Sequence, residues 1–265
     1  MADRFIRLDP HEPRRGHDPL DTVWRSGAVR PLLRRRFDVG GGPDDGILVS
    51  DLYRSGSSAF AVVLRLFAEG QGNAELRAIG SLWSCRFLAL LIPPALLGPL
   101  LVNWSYPLDP TTMRVKIDPS GAPMRLILPF EGRNVCPDAA EKIVRDLLEL
   151  HVAPLAAVIQ TAAGTPRQVV WSNAANLVDH CLGVARRQPD RGGTRRDVCA
   201  QVAQLGHAEW RGPRSIADFV DNVRTDDGLR RRRRVCCLCF ELAECGFCVD
   251  CPAGELRGLP RHVDG

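Results

Sequence analysis

Six of the ten cysteines in this chain lie within sixteen positions, in the stretch VCCLCFELAECGFCVDCP. They are Cys236, Cys237, Cys239, Cys245, Cys248 and Cys251. Cysteine thiolates bind soft metals, hold iron–sulfur clusters or exchange electrons as dithiols. A group of this size therefore indicates a metal centre or a redox centre, and the spacing between the thiols separates the candidates.

The spacing admits three kinds of metal site. Structural zinc takes two Cys-x2–4-Cys pairs, which would begin at Cys236 and Cys248. A [4Fe–4S] cluster fits the three evenly spaced cysteines that end at Cys251, but the fourth cysteine expected three residues later is absent. A [2Fe–2S] cluster needs two thiolates for each iron, which the adjacent pair Cys236–Cys237 and the final pair would supply. Spacing alone does not choose among the three.

The arrangement Cys-Cys-x10-Cys-x2-Cys, formed by Cys236, Cys237, Cys248 and Cys251, resembles the C-terminal motif of the FhuF-type ferric-siderophore reductases. The arginine-rich approach RRRRVCC and the ending CVDCP are similar too. The resemblance implies that these four cysteines hold a [2Fe–2S] cluster. Cys239 and Cys245, which lie between the two cysteine pairs, depart from the residues that are usual there in this family.

A second stretch, RQVVWSNAANLVD at residues 167–179, resembles the Trp-Ser-Asn-x-Ala segment of the same family. The larger domain of that family is related to a domain of siderophore synthetases. The resemblance implies an iron–sulfur oxidoreductase that reduces siderophore-bound Fe(III) to Fe(II) by one electron. The chain has no Gly-x-Gly-x-x-Gly after a strand and no P-loop. We therefore expect the electron to come from another protein, ferredoxin-like or a flavoprotein.

Five residues are candidates for binding the ferric siderophore: Trp171, Asn173, Asn176, Arg233 and Arg234. The last two belong to a run of five arginines that begins at Arg230. Positive charge there favours the reduced cluster and attracts an anionic chelate or an acidic electron donor. The run fits a solvated helix face equally well, and Trp171 also fits a core position.

The rival interpretation is a non-enzymatic protein in which a zinc knuckle accompanies an arginine run that binds nucleic acid or a protein partner. The formal net charge of +4 is too small by itself to argue for nucleic acid. We therefore expect no nucleic-acid partner.

The N-terminal stretch MADRFIRLDPHEPRRGH is charged and lacks the apolar core of a secretory signal. We expect a cytoplasmic protein, in which thiols stay reduced. The longest apolar run, from Phe87 to Val102, has sixteen residues and contains three prolines. Because a spanning helix needs about 20 apolar residues, we expect two short buried segments with a bend and no stable membrane span.

The 265 residues, 45% of them hydrophobic, are enough for a core of ordinary size. Hydrophobic periodicity predicts an α+β fold, with a mainly helical body around a small antiparallel sheet. We expect an irregular segment over residues 1–45, a siderophore-binding domain over 46–227 and a C-terminal iron–sulfur segment over 228–265.

Local signals predict where the elements begin and end. Ser57 or Ser58 caps a helix that closes at Gly70, and Asp138 opens a helix with the spacing of a capping box. Alternating residues around a Pro-Ser-Gly turn predict a β-hairpin between Met113 and Leu128. Further helices are predicted over residues 73–92, 169–187, 198–207 and 215–223.

Overall fold

The structure, a computed structural model, describes residues 37–41, 45–72, 74–189, 194–210, 212–225, 228–242 and 245–253. Within these ranges the chain forms a mainly helical body with three small sheets, so the predicted α+β class is confirmed. Residues 1–36 of the predicted irregular segment lie outside the described residues, and Phe37–Val39 forms a strand.

Most of the body is helical. The α-helices in the described ranges are α1 Val49–Tyr53, α2 Ser58–Glu69, α3 Leu76–Val102, α4 Ala139–Leu147, α5 Ala153–Ala163, α6 Arg167–Arg187 and α7 Thr194–Ala203. A π-helical turn joins α4 to α5, and short 3-10 turns occupy Ile216–Phe219 and Cys239–Glu241. Helix α3 packs against α2, α4, α5 and α6, so it is the centre of the hydrophobic core.

Three sheets complete the fold. Their strands are β1 Phe37–Val39, β2 Ile47–Leu48, β3 Trp104–Ser105, β4 Arg114–Ile117, β5 Pro123–Leu128, β6 Arg133–Asn134, β7 Val220–Thr225 and β8 Gly228–Arg233. The largest sheet has the order β1-β5-β4-β2, and its central pair is the predicted hairpin, which is confirmed. The pairing of β1 with β5 is parallel, an edge contact that the sequence did not indicate.

The expected break between Phe87 and Val102 is wrong, because α3 is one helix of 27 residues that contains Pro93, Pro94 and Pro99. A proline removes one helical hydrogen bond and crowds the preceding turn. From Ala78 onward, however, almost every side chain of this helix is buried. Packing on all sides outweighs the local cost, so tertiary contacts override the propensity that suggested a bend.

By length and composition, α3 is also the one helix of the described residues that could cross a membrane. Its most apolar window is 67% buried inside the protein. One such helix is weak evidence for a membrane span, because a buried core helix has the same length and composition.

The helix ends follow local chemistry in one case and depart from it in another. Ser57 Oγ accepts a hydrogen bond from the backbone N–H of Phe60, and Gly70 closes α2 as predicted. The capping box predicted at Asp138 is wrong. Asp138 itself has helical backbone angles, and its side chain makes no capping bond. Glu141 instead accepts a hydrogen bond from Arg145 one turn later.

The helix predicted over residues 215–223 is also wrong beyond its first turn. Ser215 and Asp218 do form a capping box, but the turn ends at Phe219. The chain then enters β7, which pairs antiparallel with β8 along its whole length. Cross-strand pairing therefore places most of the arginine run on a strand, and the boundary predicted between residues 227 and 228 falls at the first residue of β8.

A buried histidine lies at the π-helical turn Leu148–Val152. His151 Nε2 lies 2.6 Å from the carbonyl oxygen of Leu108, so this nitrogen carries the proton and donates. Its Nδ1 then accepts from the Tyr53 hydroxyl at 3.0 Å. Burial lowers the pKa of His151 from its usual 6.5 to about 4, against the raising effect of the Leu108 carbonyl.

Close packing at Gly80 gives the first prediction. A Cβ there would lie 2.4 Å from Thr165 Oγ1 and 2.8 Å from Ala163 Cβ, whereas at Gly183 in α6 it would meet only Arg187 at 3.5 Å. We expect Gly80→Ala to lower the free energy of unfolding by about 1–3 kcal/mol through overpacking. The control Gly183→Ala should raise it by up to about 1 kcal/mol through helix propensity. Urea unfolding measures both, and equal effects would contradict the close approach.

The second prediction concerns acid stability. His151 stays neutral in the folded protein down to about pH 4 but takes up a proton near pH 6.5 once unfolded. The contribution of neutral His151 to the free energy of unfolding is therefore fully present above pH 6.5 and is lost as the pH falls towards 4. We expect the wild type to lose about 3 kcal/mol more than His151→Gln between pH 7 and pH 4. Urea unfolding at a series of pH values measures this, and parallel curves would contradict it.

Candidate metal centre

The cysteine segment, residues 235–253, packs on the N-terminal half of α3 and on the middle of α6. Ser81 of α3 donates to the carbonyl oxygen of Cys237 at 2.6 Å. Ser172 of α6 donates to the carbonyl oxygen of Val235 at 3.2 Å. The hairpin β7–β8 leads directly into this segment, so two helices and one hairpin fix where it begins.

The backbone turns sharply inside the segment. Leu238 has φ 62°, in the left-handed region that residues with a Cβ avoid. Its N–H lies 3.4 Å from Cys236 Sγ, so the turn brings this thiol into contact with the backbone of Leu238. Glu241 accepts two hydrogen bonds from Arg77, at 2.8 and 3.1 Å, which tie the following 3-10 turn to α3.

The thiols converge on Cys237. Its Sγ lies 3.7 Å from Cys248 Sγ, and it also shares hydrogen bonds with Cys236 and Cys239. Cys251 lies within electrostatic range of Cys236 and Cys248. Cys237 and Cys251 are buried, whereas Cys236 and Cys248 are half-buried. The four cysteines of the Cys-Cys-x10-Cys-x2-Cys motif therefore form one group together with Cys239, with an inner side and a side nearer solvent.

This grouping shifts the proton equilibria of the thiols. The pKa of Cys237 is lowered, chiefly by the hydrogen bonds that it shares with the thiols of Cys236, Cys239 and Cys248. The pKa values of those three are raised, because the same hydrogen bonds hold their protons and burial adds to the effect. The group thus stabilises a thiolate at its centre, and thiolate is the form that binds metal.

A metal–thiolate centre requires a characteristic distance between its sulfur ligands. Tetrahedral metal–thiolate bonds of about 2.3 Å would place two sulfur atoms on one metal about 3.8 Å apart. The 3.7 Å between Cys237 and Cys248 matches this spacing. Among the described residues, no three Cys, His, Asp or Glu side chains gather closely enough to hold a single ion. The cysteines therefore supply one pair of thiols at the spacing of two ligands on one metal.

The arginine run contributes one deeply buried side chain. Arg231 and Arg233 of β8 face α6, and Arg231 pairs with Asp179 and Asp250. Arg233 is 4% exposed, so the prediction that the arginine run forms a solvated helix face is wrong for this residue. Arg234 lies on the other side, is half exposed, and pairs with Asp221 at 2.8 Å. Strand alternation explains the division.

Asn173 links Arg233 to the cysteine backbone. Arg233 Nη2 donates to Asn173 Oδ1 at 2.5 Å, so the amide group of Asn173 must point the other way. That group donates to Ser81 Oγ at 3.1 Å and Ser84 Oγ at 3.0 Å. Ser81 in turn donates to the carbonyl oxygen of Cys237. Because a guanidinium can only donate, every step of this network has one direction.

The other candidate substrate residues lie behind the site. Trp171 is buried, its ring centroid 4.5 Å from that of His207 and 5.7 Å from that of Trp210. The carbonyl oxygen of Asn176 accepts a hydrogen bond from Arg231. That these residues bind the chelate stays a prediction. Trp171 does occupy the core position that its sequence also allowed.

Sequence reasoning missed three residues of the site. Ser81 and Ser84 were not singled out, although two hydroxyls three residues apart in an apolar helix are a signal of buried polar partners. Cys85 lies far from the cysteine-rich stretch in the sequence and was not predicted to border the site. It lies within electrostatic range of Cys237, and its pKa is raised to about 12, chiefly by burial. One further thiol therefore borders the group.

A cleft of about 310 Å³ lies elsewhere, lined by residues that include Ser105, Tyr106, Lys142 and His151. Ser105 follows the C-terminal end of α3, about 30 Å along that helix from Ser81 at a rise of 1.5 Å per residue. The cleft is therefore separate from the cysteine group.

The network at Asn173 gives the third prediction. Asn173→Ala leaves Arg233 and Ser81 without their shared partner, so we expect the free energy of unfolding to fall by about 3 kcal/mol. Asn176→Ala is the matched control, because Asn176 Oδ1 is buried without a partner among the described residues. Its loss should be below about 1 kcal/mol. Urea unfolding compares the two, and a smaller loss at residue 173 than at 176 would refute the network.

Comparison with known proteins bears on the helices that hold this site. A family model described as "Ferric iron reductase FhuF-like transporter" matches residues 81–206. The ferric siderophore reductase of Escherichia coli (strain K12) is 22% identical over 183 residues, which cover 67% of this chain. The alignment spans 66% of that relative's length. The matched range contains Ser81, Ser172 and Asn173 but ends before the cysteines. Over residues 81–206, the resemblance of this chain to the FhuF-type family is therefore confirmed.

Proposed function

We propose that this protein is a cytoplasmic ferric-siderophore reductase that passes single electrons to siderophore-bound Fe(III) through a [2Fe–2S] cluster. The observation that carries the proposal is the convergence of cysteine thiols on Cys237, whose backbone is held by Ser81 in the family-matched range. The name of the E. coli relative supports the substrate class.

Cys236, Cys237, Cys248 and Cys251 would hold the cluster, which supplies one-electron redox chemistry when bound. The chain does the rest. Ser81 and Ser172 fix the carbonyl groups beside the first two ligands. Burial of Cys237 and Cys251 keeps water from the inner side, and half-exposed Cys236 and Cys248 form the edge through which an electron is exchanged.

Reduction is an effective way to release iron from a siderophore. The hard oxygen donors of such chelates bind Fe(III) far more strongly than Fe(II). One electron enters from the donor protein, the ferric ion becomes ferrous, and the chelate loosens without breaking a covalent bond. A ferredoxin-like protein or a flavoprotein is the proposed donor.

The candidate substrate residues divide by exposure in this proposal. Arg234 is half exposed beside the cysteine segment and would meet an anionic chelate directly. Trp171 and Asn173 are buried, and Asn176 is half-buried, so these three would support the site from behind. Arg233 shares features of both sets, because it is buried yet lies next to the cysteines.

The fourth prediction tests the ligand set. We expect anaerobically purified wild type to contain about two irons and two sulfides per chain and, after dithionite, a [2Fe–2S] EPR signal. Cys237→Ser should lose iron, sulfide and signal. The matched controls Cys239→Ser and Cys245→Ser remove thiols from the same loop and should keep all three.

Two outcomes would contradict the proposal in different ways. Loss of the cluster in Cys239→Ser or Cys245→Ser would show that the ligand assignment is wrong. Zinc without sulfide in the wild type would overturn the reductase and favour the zinc-knuckle interpretation.

If the wild type contains the cluster, a ferric hydroxamate or catecholate chelate should reoxidise the reduced protein. The optical absorbance of the cluster, which bleaches on reduction and recovers on oxidation, measures this reaction.

A further inference from the structure

The guanidinium of Arg233 is a buried cation with unused hydrogen-bonding capacity. Arg233 is 4% exposed, and its Nη2 donates to Ser172 Oγ at 3.0 Å and to Asn173 Oδ1 at 2.5 Å. Its Nε is buried and has no hydrogen-bond partner among the described residues. Native proteins rarely leave a buried N–H without an acceptor, so an acceptor belongs at this position.

The charge of Arg233 is the second unusual feature of this side chain. Its strand neighbour Arg231 pairs with Asp179, and Arg234 pairs with Asp221. Among the described residues, no carboxylate pairs with Arg233 itself. Burying a charge without an opposite charge is unfavourable. The structure therefore calls for an anion that neither the strand nor α6 supplies.

The thiol group lies within reach of this cation. The charge of Arg233 acts on Cys237, Cys248 and Cys85. The head group cannot swing away, because Ser172 holds it to the backbone of Val235 and Asn173 holds it through Ser81 to the backbone of Cys237. One hydrogen-bond network thus fixes both the cation and the cysteine backbone.

We propose that Arg233 is the internal counter-charge of the cluster and sets its reduction potential. The Nε–H would donate to a sulfur of the bound cluster, and the guanidinium charge would stabilise the reduced form, which is one unit more negative than the oxidised form. Hydrogen bonds to sulfur and nearby charge are the usual means by which a protein tunes such a centre. This inference rests on the proposed function and adds to it the residue that controls the potential.

The fifth prediction compares two neighbouring arginines. Arg233→Gln keeps a donor for Asn173 and removes the charge, and Arg234→Gln removes a charge from the exposed side. We expect Arg233→Gln to shift the equilibrium towards the oxidised cluster by at least about tenfold, equivalent to a fall of about 59 mV for one electron. Arg234→Gln should shift it by less than about threefold because solvent screens its charge. Optical titration with redox mediators measures both.

A third variant separates charge from hydrogen bonding. Arg233→Lys keeps the charge but has no Nε–H, so its potential should lie nearer the wild type than that of Arg233→Gln. Its EPR spectrum should still change, because the hydrogen bond to sulfur is lost. A potential as low as that of Arg233→Gln would overturn the charge assignment.

The failures of the two proposals are distinguishable. A wild type without iron and sulfide would overturn both. A wild-type cluster together with an unchanged potential in Arg233→Gln would overturn only the role of Arg233. If Arg233→Gln does not retain the cluster, the melting temperatures of the cluster-free wild type and of the cluster-free variant distinguish a counter-charge from a purely structural residue. An equal or higher value in the variant supports a counter-charge, whereas a lower value means that Arg233 serves only the fold.

Discussion

The burial of one positive charge, that of Arg233, organises the site. A guanidinium can donate hydrogen bonds but cannot accept them, so Asn173 must present its oxygen to Arg233 and its amide group to the serines of α3. The last hydroxyl of this network donates to the carbonyl oxygen of Cys237. The position of a central thiol is therefore set by a polar network that runs through the middle of the helical core.

The core explains why such a network can exist. Helix α3 is covered on nearly all sides, and its contact with Thr165 at Gly80 leaves no room for a side chain. A helix held this firmly can carry Ser81 and Ser84 in a dry environment, where hydrogen bonds are stronger and their geometry is fixed. The three prolines near its C-terminal half are tolerated for the same reason.

Sequence reasoning succeeded where the signal was local. The helix cap at Ser57, the hairpin between residues 113 and 128, and the helix after Pro166 depend on neighbouring residues, and all three are confirmed. It failed where distant contacts decide. A run of arginines has no period that distinguishes a strand from a helix face, so the placement of Arg233 depends on the pairing of β8 with β7.

The candidate site shows the same division. The spacing of the cysteines pointed to this segment as a metal centre, but the hydrogen bond between Cys239 and Cys237 depends on the turn at Leu238, which the spacing does not predict. The contact between Ser81 and Asn173 joins residues 92 positions apart, and no pattern within either helix predicts it. That Asn173 binds substrate stays a prediction, and its contacts with Arg233 and the serines are an additional role that the sequence did not indicate.

The order of these parts along the chain has a consequence for biosynthesis. Helices α3 and α6, which carry the serines and Asn173, are synthesised before the cysteine segment. Domains tend to fold from the N-terminal side as the chain emerges from the ribosome. The platform can therefore be folded when the cysteine segment appears. Insertion of the proposed cluster would then be a late step of maturation, in which iron and sulfide meet a prearranged surface.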